Sequence, residues 1–489
     1  MPESSQGQTA TTPAPTAQPS PDSASASGKA GLWLAVVLVG TAIGWLAGRT
    51  GHEWDVLVFL AGAVVALVSP LLAVCILAVS FTLGVVSLGA GGQTLARVTG
   101  FGVGLALLPQ VVAAWIRRNQ GRPVVSGRGA LLVGFLAFAL LSGIFADDRA
   151  TWFQGIWMLF VRASLFACIV YVIRTTREQR AVFGSVAAAL TAAALIGAAE
   201  WVWGVSPGER VFHTESDIGA IRVSGVFQSP ISLSFALVPA LGCAAYFVVH
   251  GRGLTRLGGL LAMPALLFCL AATMTRSAAL GALALVALLF VLRPALPRWS
   301  KILVIVVLLG AVLAAPAPVK KRFADPSFLM RERSIHNRIP MAVTALRMAA
   351  ANPLGVGLRN FELHYDEYKP VRDTESGRAA HNMYLELAAT IGIPGALCFL
   401  GWIVATLVSV NRSRRALLDR QARPEAAFVG FLLAIVASMA FQGLFHTSPY
   451  QDKFFWLFMA LGQASVARPP RQGAGSIPSR DSLGQRVAS

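Results

Sequence analysis

Many stretches of about 16 to 22 residues in this chain carry no charged side chain, close to the ~20 residues a helix needs to cross a hydrocarbon core. In lipid each such segment must satisfy its own backbone hydrogen bonds, so the runs read as helices. Spanning helices are expected near 30–48, 56–68, 71–88, 101–116, 129–145, 156–173, 181–203, 230–250, 257–273, 277–292, 300–315, 382–410, 425–442 and 453–467. The composition agrees: 55% hydrophobic and 13% charged over 489 residues, about half the charged fraction of a soluble domain. At Ser69-Pro70 the second apolar stretch reads either as two short helices or as one kinked helix.

The formal charge of +18 could suggest nucleic acid, but the basic residues fall in short loops between apolar runs rather than on one soluble face. With the N-terminus in the cytoplasm, the short inner loops 117–128, 174–180, 251–256, 293–301 and 411–424 carry 17 Lys and Arg, against seven in the opposing short loops. Basic residues favour the cytoplasmic side, so both termini are expected inside and the polar stretch from 316 outside. Residues 1–29, rich in Ser, Pro, Ala and Thr, and residues 468–489 read as disordered cytoplasmic tails. The first tail lacks the basic start and early apolar core of a cleavable signal, so the first apolar run is expected to be retained. About eleven spanning helices then occupy 30–315, a large extracytoplasmic loop 316–381, and three further helices 382–467. Within the loop an amphipathic helix is expected over 340–351, with Pro340 in its first turn, Met341, Ala345, Leu346 and Met348 on one face, and Asn352-Pro353 as its stop. The five cysteines, Cys75, Cys168, Cys243, Cys269 and Cys398, all fall inside apolar runs and read as small core residues.

Two positions stand out chemically. His381 opens the apolar run His-Asn-Met-Tyr at the end of the polar stretch, with Asn382 beside it, Glu386 on the following helix, and Gly392-Ile-Pro-Gly395 beyond. It reads either as an interfacial histidine at a helix start or as an acid–base group. Glu386 favours the second reading, because ionisable residues within a span mark functional interiors. Arg276, in the short break Met-Thr-Arg-Ser, reads either as a lipid-headgroup contact or as a charged fork for phosphate oxygens. Arg222 and Arg338 are further cations on the same side, and Arg162 lies within a helix, expected six residues from its outer end. Arg331, Arg333, Arg359, Arg372 and Arg378 read as solvated loop charges. Phosphate-loop, His-Glu-x-x-His and paired-cysteine patterns are missing from the sequence, and Asp325, Asp366, Glu367, Asp373 and Glu375 follow no ligand spacing. No metal or cofactor is expected.

Together these residues resemble the O-antigen ligase and polymerase-like membrane proteins of bacterial envelopes. His381-Asn382, nine residues, then Gly392-x-x-Gly395 matches one family pattern, and Arg276-x-x-x-Leu280 another. Arg338-Ile339-Pro340 through Asn352-Pro-Leu-Gly-Val-Gly357 is similar to the family's loop signature, and Arg222-Val-Ser-Gly-Val-Phe227 to a shorter element. The resemblance covers roughly residues 215–400 and implies an all-α, GT-C-like polytopic membrane protein of about 12–14 transmembrane helices with one large periplasmic loop, since twelve are typical of the ligases. It further implies inverting, metal-independent transfer of a glycan from a polyprenyl diphosphate donor to a hydroxyl, at the outer face of the inner membrane. By position, Arg276 and Arg338, with Arg222, would bind the diphosphate, and His381 would activate or orient the acceptor hydroxyl. Asn382, Glu386 and Arg162 would support them. The acceptor divides the family: lipid A core for a ligase, a lipid-linked glycan for an O-antigen or exopolysaccharide polymerase, a protein for an O-oligosaccharyltransferase. The ligase patterns are the nearest. Beyond donor, acceptor and membrane lipids, no nucleic-acid partner is expected. A transporter or flippase without chemistry is the alternative from another class, and would predict mid-membrane polar residues and related halves with broken helices.

Overall fold

The computed structural model describes residues 53–82, 87–88, 93–94, 102–104, 106–107, 111–112, 127–204, 222–227, 229–292, 338–371, 373, 376–446 and 449–466. The helices expected at 30–48 and 300–315, most of 101–116, and both tails lie outside them. Thirteen helices of eight or more residues are numbered here in chain order among the described residues: α1 Glu53–Val68, α2 Pro70–Thr82, α3 Gly127–Leu141, α4 Arg149–Val172, α5 Thr176–Trp203, α6 Pro230–His250, α7 Leu254–Ala272, α8 Arg276–Leu292, α9 Arg338–Ala351, α10 Met383–Thr390, α11 Gly392–Asp419, α12 Arg423–Gln442 and α13 Lys453–Val466. One two-residue antiparallel pairing, Ser87–Leu88 with Gln93–Thr94, is the only strand structure among them. Seven of the described helices are long and apolar enough to cross a membrane: α3 with its 3-10 extension to Phe145, α4, α5, α6, α7, α11 and α12. The chain is an all-α polytopic membrane protein.

Local sequence explains the helix ends. Asp148 caps α4 by accepting from the Ala150 and Thr151 amides, and Thr175 with Glu178 forms a reciprocal capping box at the start of α5. Ser229 caps α6 ahead of Pro230, whose missing N–H is harmless in a first turn. At Ser69 the chain does divide, but by one residue: the Ser69 amide donates to Val65 O and the Ala73 amide to Ser69 O, so hydrogen bonding runs through the junction.

The most buried spans are α6 and α12, with 83% and 72% of their apolar windows inside the protein. They pack on each other, and α7, α8, α11 and α13 gather around them. Large rings fill this centre, among them Phe183, Phe428, Phe431, Trp402 and Trp456. The ends of α3, α5, α7 and α12 and the starts of α4, α6, α8, α11 and α13 share one end of the bundle, and the polar segment 338–381 lies across it.

That segment docks through its glycines. The run expected as one helix over 382–410 is broken at Ile391 into α10 and α11, because residues 353–357 insert at the break. The Val356 and Gly357 amides donate to Ala389 O and Thr390 O, and the Ile393 amide donates to Pro353 O. Gly355 (φ +88°) and Gly392 (φ +83°) face each other there; a Cβ on Gly355 would stand 2.4 Å from Thr390 O, and one on Gly392 2.6 Å from Pro353 O. Only glycine accepts both the conformation and the approach. The two Gly-rich motifs, some forty residues apart, are thus one contact. Further along, the Leu358 amide donates to Ser142 Oγ, and Asn360 and Asp148 exchange two hydrogen bonds. On α9 the buried face is Met341, Thr344, Ala345, Met348 and Ala349. Leu346, expected on that face, is 57% exposed, since its position lies about 100° around the helix from Ala345.

Candidate active site

The break between α7 and α8 is built by its neighbours. Met274 takes a left-handed φ of +51°, an uncommon conformation for a non-glycine residue, which lets α8 restart at Arg276 after a three-residue turn. Arg222 braces this turn: Nε donates to Thr273 O at 3.0 Å and Nη2 to Thr275 Oγ1 at 3.1 Å, while the Val223 amide donates to Ala272 O. The Arg222 turn is itself held by a buried carboxylate, Glu200 of α5, which accepts from the Ser224 and Gly225 amides. Arg222 therefore acts on the peptide that carries Arg276.

His381 stands on the facing wall, also with a left-handed φ, +50°. Asn382 follows and caps α10, its Oδ1 accepting from the Tyr384 and Leu385 amides. The side chain expected to support the site thus fixes the helix start through its oxygen. The Met383 amide donates to Gly443 O, and Tyr384 Oη donates to Ala440 O, at 2.8 Å each. These bonds tie the His381 turn to the end of α12, and there the structure adds a residue the sequence analysis did not identify. His446, buried, lies 2.8 Å through Nε2 from Ser277 Oγ, the residue after Arg276. Phe235 of α6 meets its ring edge-on at 6.1 Å. The Arg338 guanidinium, at the start of α9, is 6.0 Å from the adjoining Phe445 ring. Arg338 and His381 are close enough to act on His446, whose partner Ser277 follows Arg276 in the chain.

The electrostatics follow from this packing. Burial, then the nearby guanidinium groups of Arg338 and Arg378, hold the His381 imidazole below its usual pKa. Burial, Arg338 and His381 push His446 down to about 4. Both rings are predominantly neutral at neutral pH. Arg378, read as a solvated loop charge, is half-buried and close enough to act on His381.

Two supporting residues sit elsewhere than expected. Glu386 belongs to the short helix α10 rather than to a long span; it is buried, and its Oε1 accepts from Tyr450 Oη at 3.3 Å. Arg162 lies thirteen residues into α4, because that helix starts at Arg149 instead of 156. It does not need to reach the surface: its Nε donates to Gln451 O at 3.2 Å, while the Gln451 amide group donates to Tyr450 Oη. Arg162, Gln451, Tyr450 and Glu386 form a polar chain under the 443–452 turn. All five cysteines are free thiols, three of them buried. Among the described residues no group of three or more His, Cys, Asp or Glu side chains is arranged to hold a metal ion.

A lone histidine after an apolar run is a weak signal, which is why His446 escaped notice. A usable one was present: it falls in a turn that helix parity places at the same bundle end as His381.

No curated protein matches the chain. Residues 261–400 match the family model described as O-antigen ligase. The matched stretch contains Arg276, Arg338, His381 and the Gly392 break, and leaves Arg162, Arg222 and His446 outside it. The chain is accordingly a multi-pass membrane protein whose residues 261–400 are similar to the O-antigen ligase family.

Proposed function

We propose that this protein transfers a glycan from polyprenyl diphosphate to an acceptor hydroxyl, with inversion and without a metal ion, at the outer face of the inner membrane. The observation that carries the reading is the joining of two turns from opposite ends of the matched domain. The Arg276 turn and the His381 turn meet through Ser277–His446 and Met383–Gly443. The acceptor oxygen attacks the anomeric carbon as the bond to the diphosphate oxygen breaks, and the diphosphate leaves with the electron pair. Arg276 and Arg338 offer guanidinium forks to that developing charge, with Arg222 bracing the turn. The acceptor proton passes to His381, which is available as a base because its pKa is depressed. A bound diphosphate would offset the field of Arg338, strengthening His381 as a base when the donor is in place.

Loop charge orients this end of the bundle outward, with both termini in the cytoplasm. Lipid A core is the acceptor we favour, from the nearness of the ligase patterns. Deleting the gene and fractionating envelope glycans tests this. Loss of long chains from lipid A with lipid-linked polymer retained supports the ligase. Accumulated single repeat units mean a polymerase instead, and loss confined to glycoproteins means protein transfer. Donor trapped on the inner leaflet would mean a transporter, and unchanged glycans in every fraction would overturn the proposal. In membranes carrying the protein, a divalent-metal chelator should leave transfer intact.

A further inference from the structure

Ser277 occupies the second position of α8, immediately after Arg276, and its hydroxyl is buried against His446 rather than turned back onto its own helix. Phe235 packs edge-on against the His446 ring and fixes its plane. Nε2 faces Ser277, and the Arg338 guanidinium lies 6.0 Å from the ring of the preceding residue, Phe445. The Arg338 guanidinium acts on the His446 ring through its field, and a nearby cation favours the neutral tautomer that turns a lone pair, rather than an N–H, to that side. A neutral imidazole with its lone pair on Nδ1 carries its proton on Nε2. That proton then points at Ser277 Oγ, and the serine's own proton is free for another acceptor.

We propose that His446 is a positioning residue that donates from Nε2 to Ser277 and so aims the serine O–H, beside Arg276, at a terminal oxygen of the donor diphosphate. This rests on the proposed function and adds a neutral donor to the arginine forks. Ser277 touches the substrate; His446 acts through it. The aromatic wall of Phe235 keeps the arrangement dry, where one oriented O–H counts for more than in water.

The test uses the full-length protein in lipid with a synthetic polyprenyl-diphosphate-linked glycan, measuring kcat and the KM for donor and acceptor separately. Ser277→Ala and His446→Phe should each lower kcat/KM for the donor about tenfold while the acceptor KM stays unchanged. The double variant should be no worse than either alone, because the two groups act as one. His446→Gln, whose amide nitrogen can reach Ser277, should recover most of the loss. Wild-type kinetics in Ser277→Ala, or fully additive losses in the double variant, would overturn the inference. Ser277→Ala removes a single oxygen, so it decides the matter even where His446→Phe fails to insert. Arg276→Ala, run alongside, separates the layers. If it too leaves donor kinetics unchanged, the diphosphate reading itself fails; if it alone is impaired, only the His446 inference falls.

Discussion

The two ends of the helix bundle carry basic residues in opposite ways. At one end they are numerous and mostly solvated, with Arg128, Arg180 and Arg414 half-buried. Arg174, Arg177, Arg252, Arg256, Arg412 and Arg415 are exposed, and Arg174 lies over the nearby Tyr171 ring and donates to that residue's carbonyl. At the other end Arg149, Arg347 and Arg359 are exposed, but Arg222, Arg338 and Arg378 are half-buried and lie close to the Arg276 turn, to His381 or to His446. Counting charge distinguishes the two faces of a membrane, and the richer face is not where the candidate site lies. Desolvation and convergence make a site, because a charge acts far more strongly on a neighbour when water is excluded.

The sharpest way to break this contrast is to change a charge's shape without its sign. Arg276→Lys keeps the cation and loses the fork, so kcat/KM for the donor should fall on the order of 100-fold, the scale of removing one preorganised donor from a developing anion. An unchanged value in a donor-saturation assay would reduce Arg276 to a generic cation like those at the far end. A smaller effect concerns pH. His381 works in its neutral form, so transfer should fall only as pH drops through its lowered pKa. Arg378 is one cause of that lowering, and Arg378→Gln should move the acid limb of the rate profile upward, toward the ordinary histidine value. A limb that stays in place would return Arg378 to the solvated class. The smallest effect belongs to the far end: Arg252→Ala and Arg412→Ala should leave transfer unchanged and shift stability by no more than about 0.5 kcal/mol. A large loss in either would erase the distinction between the ends.

The apolar runs made the spans legible, and the all-α architecture follows from them. Arg276 and His381 were legible because each interrupts or borders an apolar run, and Arg338 because it opens the loop signature. What sequence concealed was partnership across distance. Gly355 and Gly392 belong to separate motifs of the sequence, yet each is in left-handed backbone packed against the other's turn. Asn382, expected to support the site, also caps α10 through its Oδ1. Arg162 looked near a surface because the polar first turns of α4 hid its true start. His446 needed the Met383–Gly443 bond, a pairing sixty residues apart, before it could be placed beside His381.

The central claim is that one end of this bundle performs glycan transfer with His381 as its acid–base group. His381→Ala, purified in lipid and supplied with a polyprenyl-diphosphate-linked glycan and a hydroxyl acceptor, tests it most directly. Glycan transfer should be lost while the donor still binds at the arginines. Transfer at the wild-type rate would contradict the account.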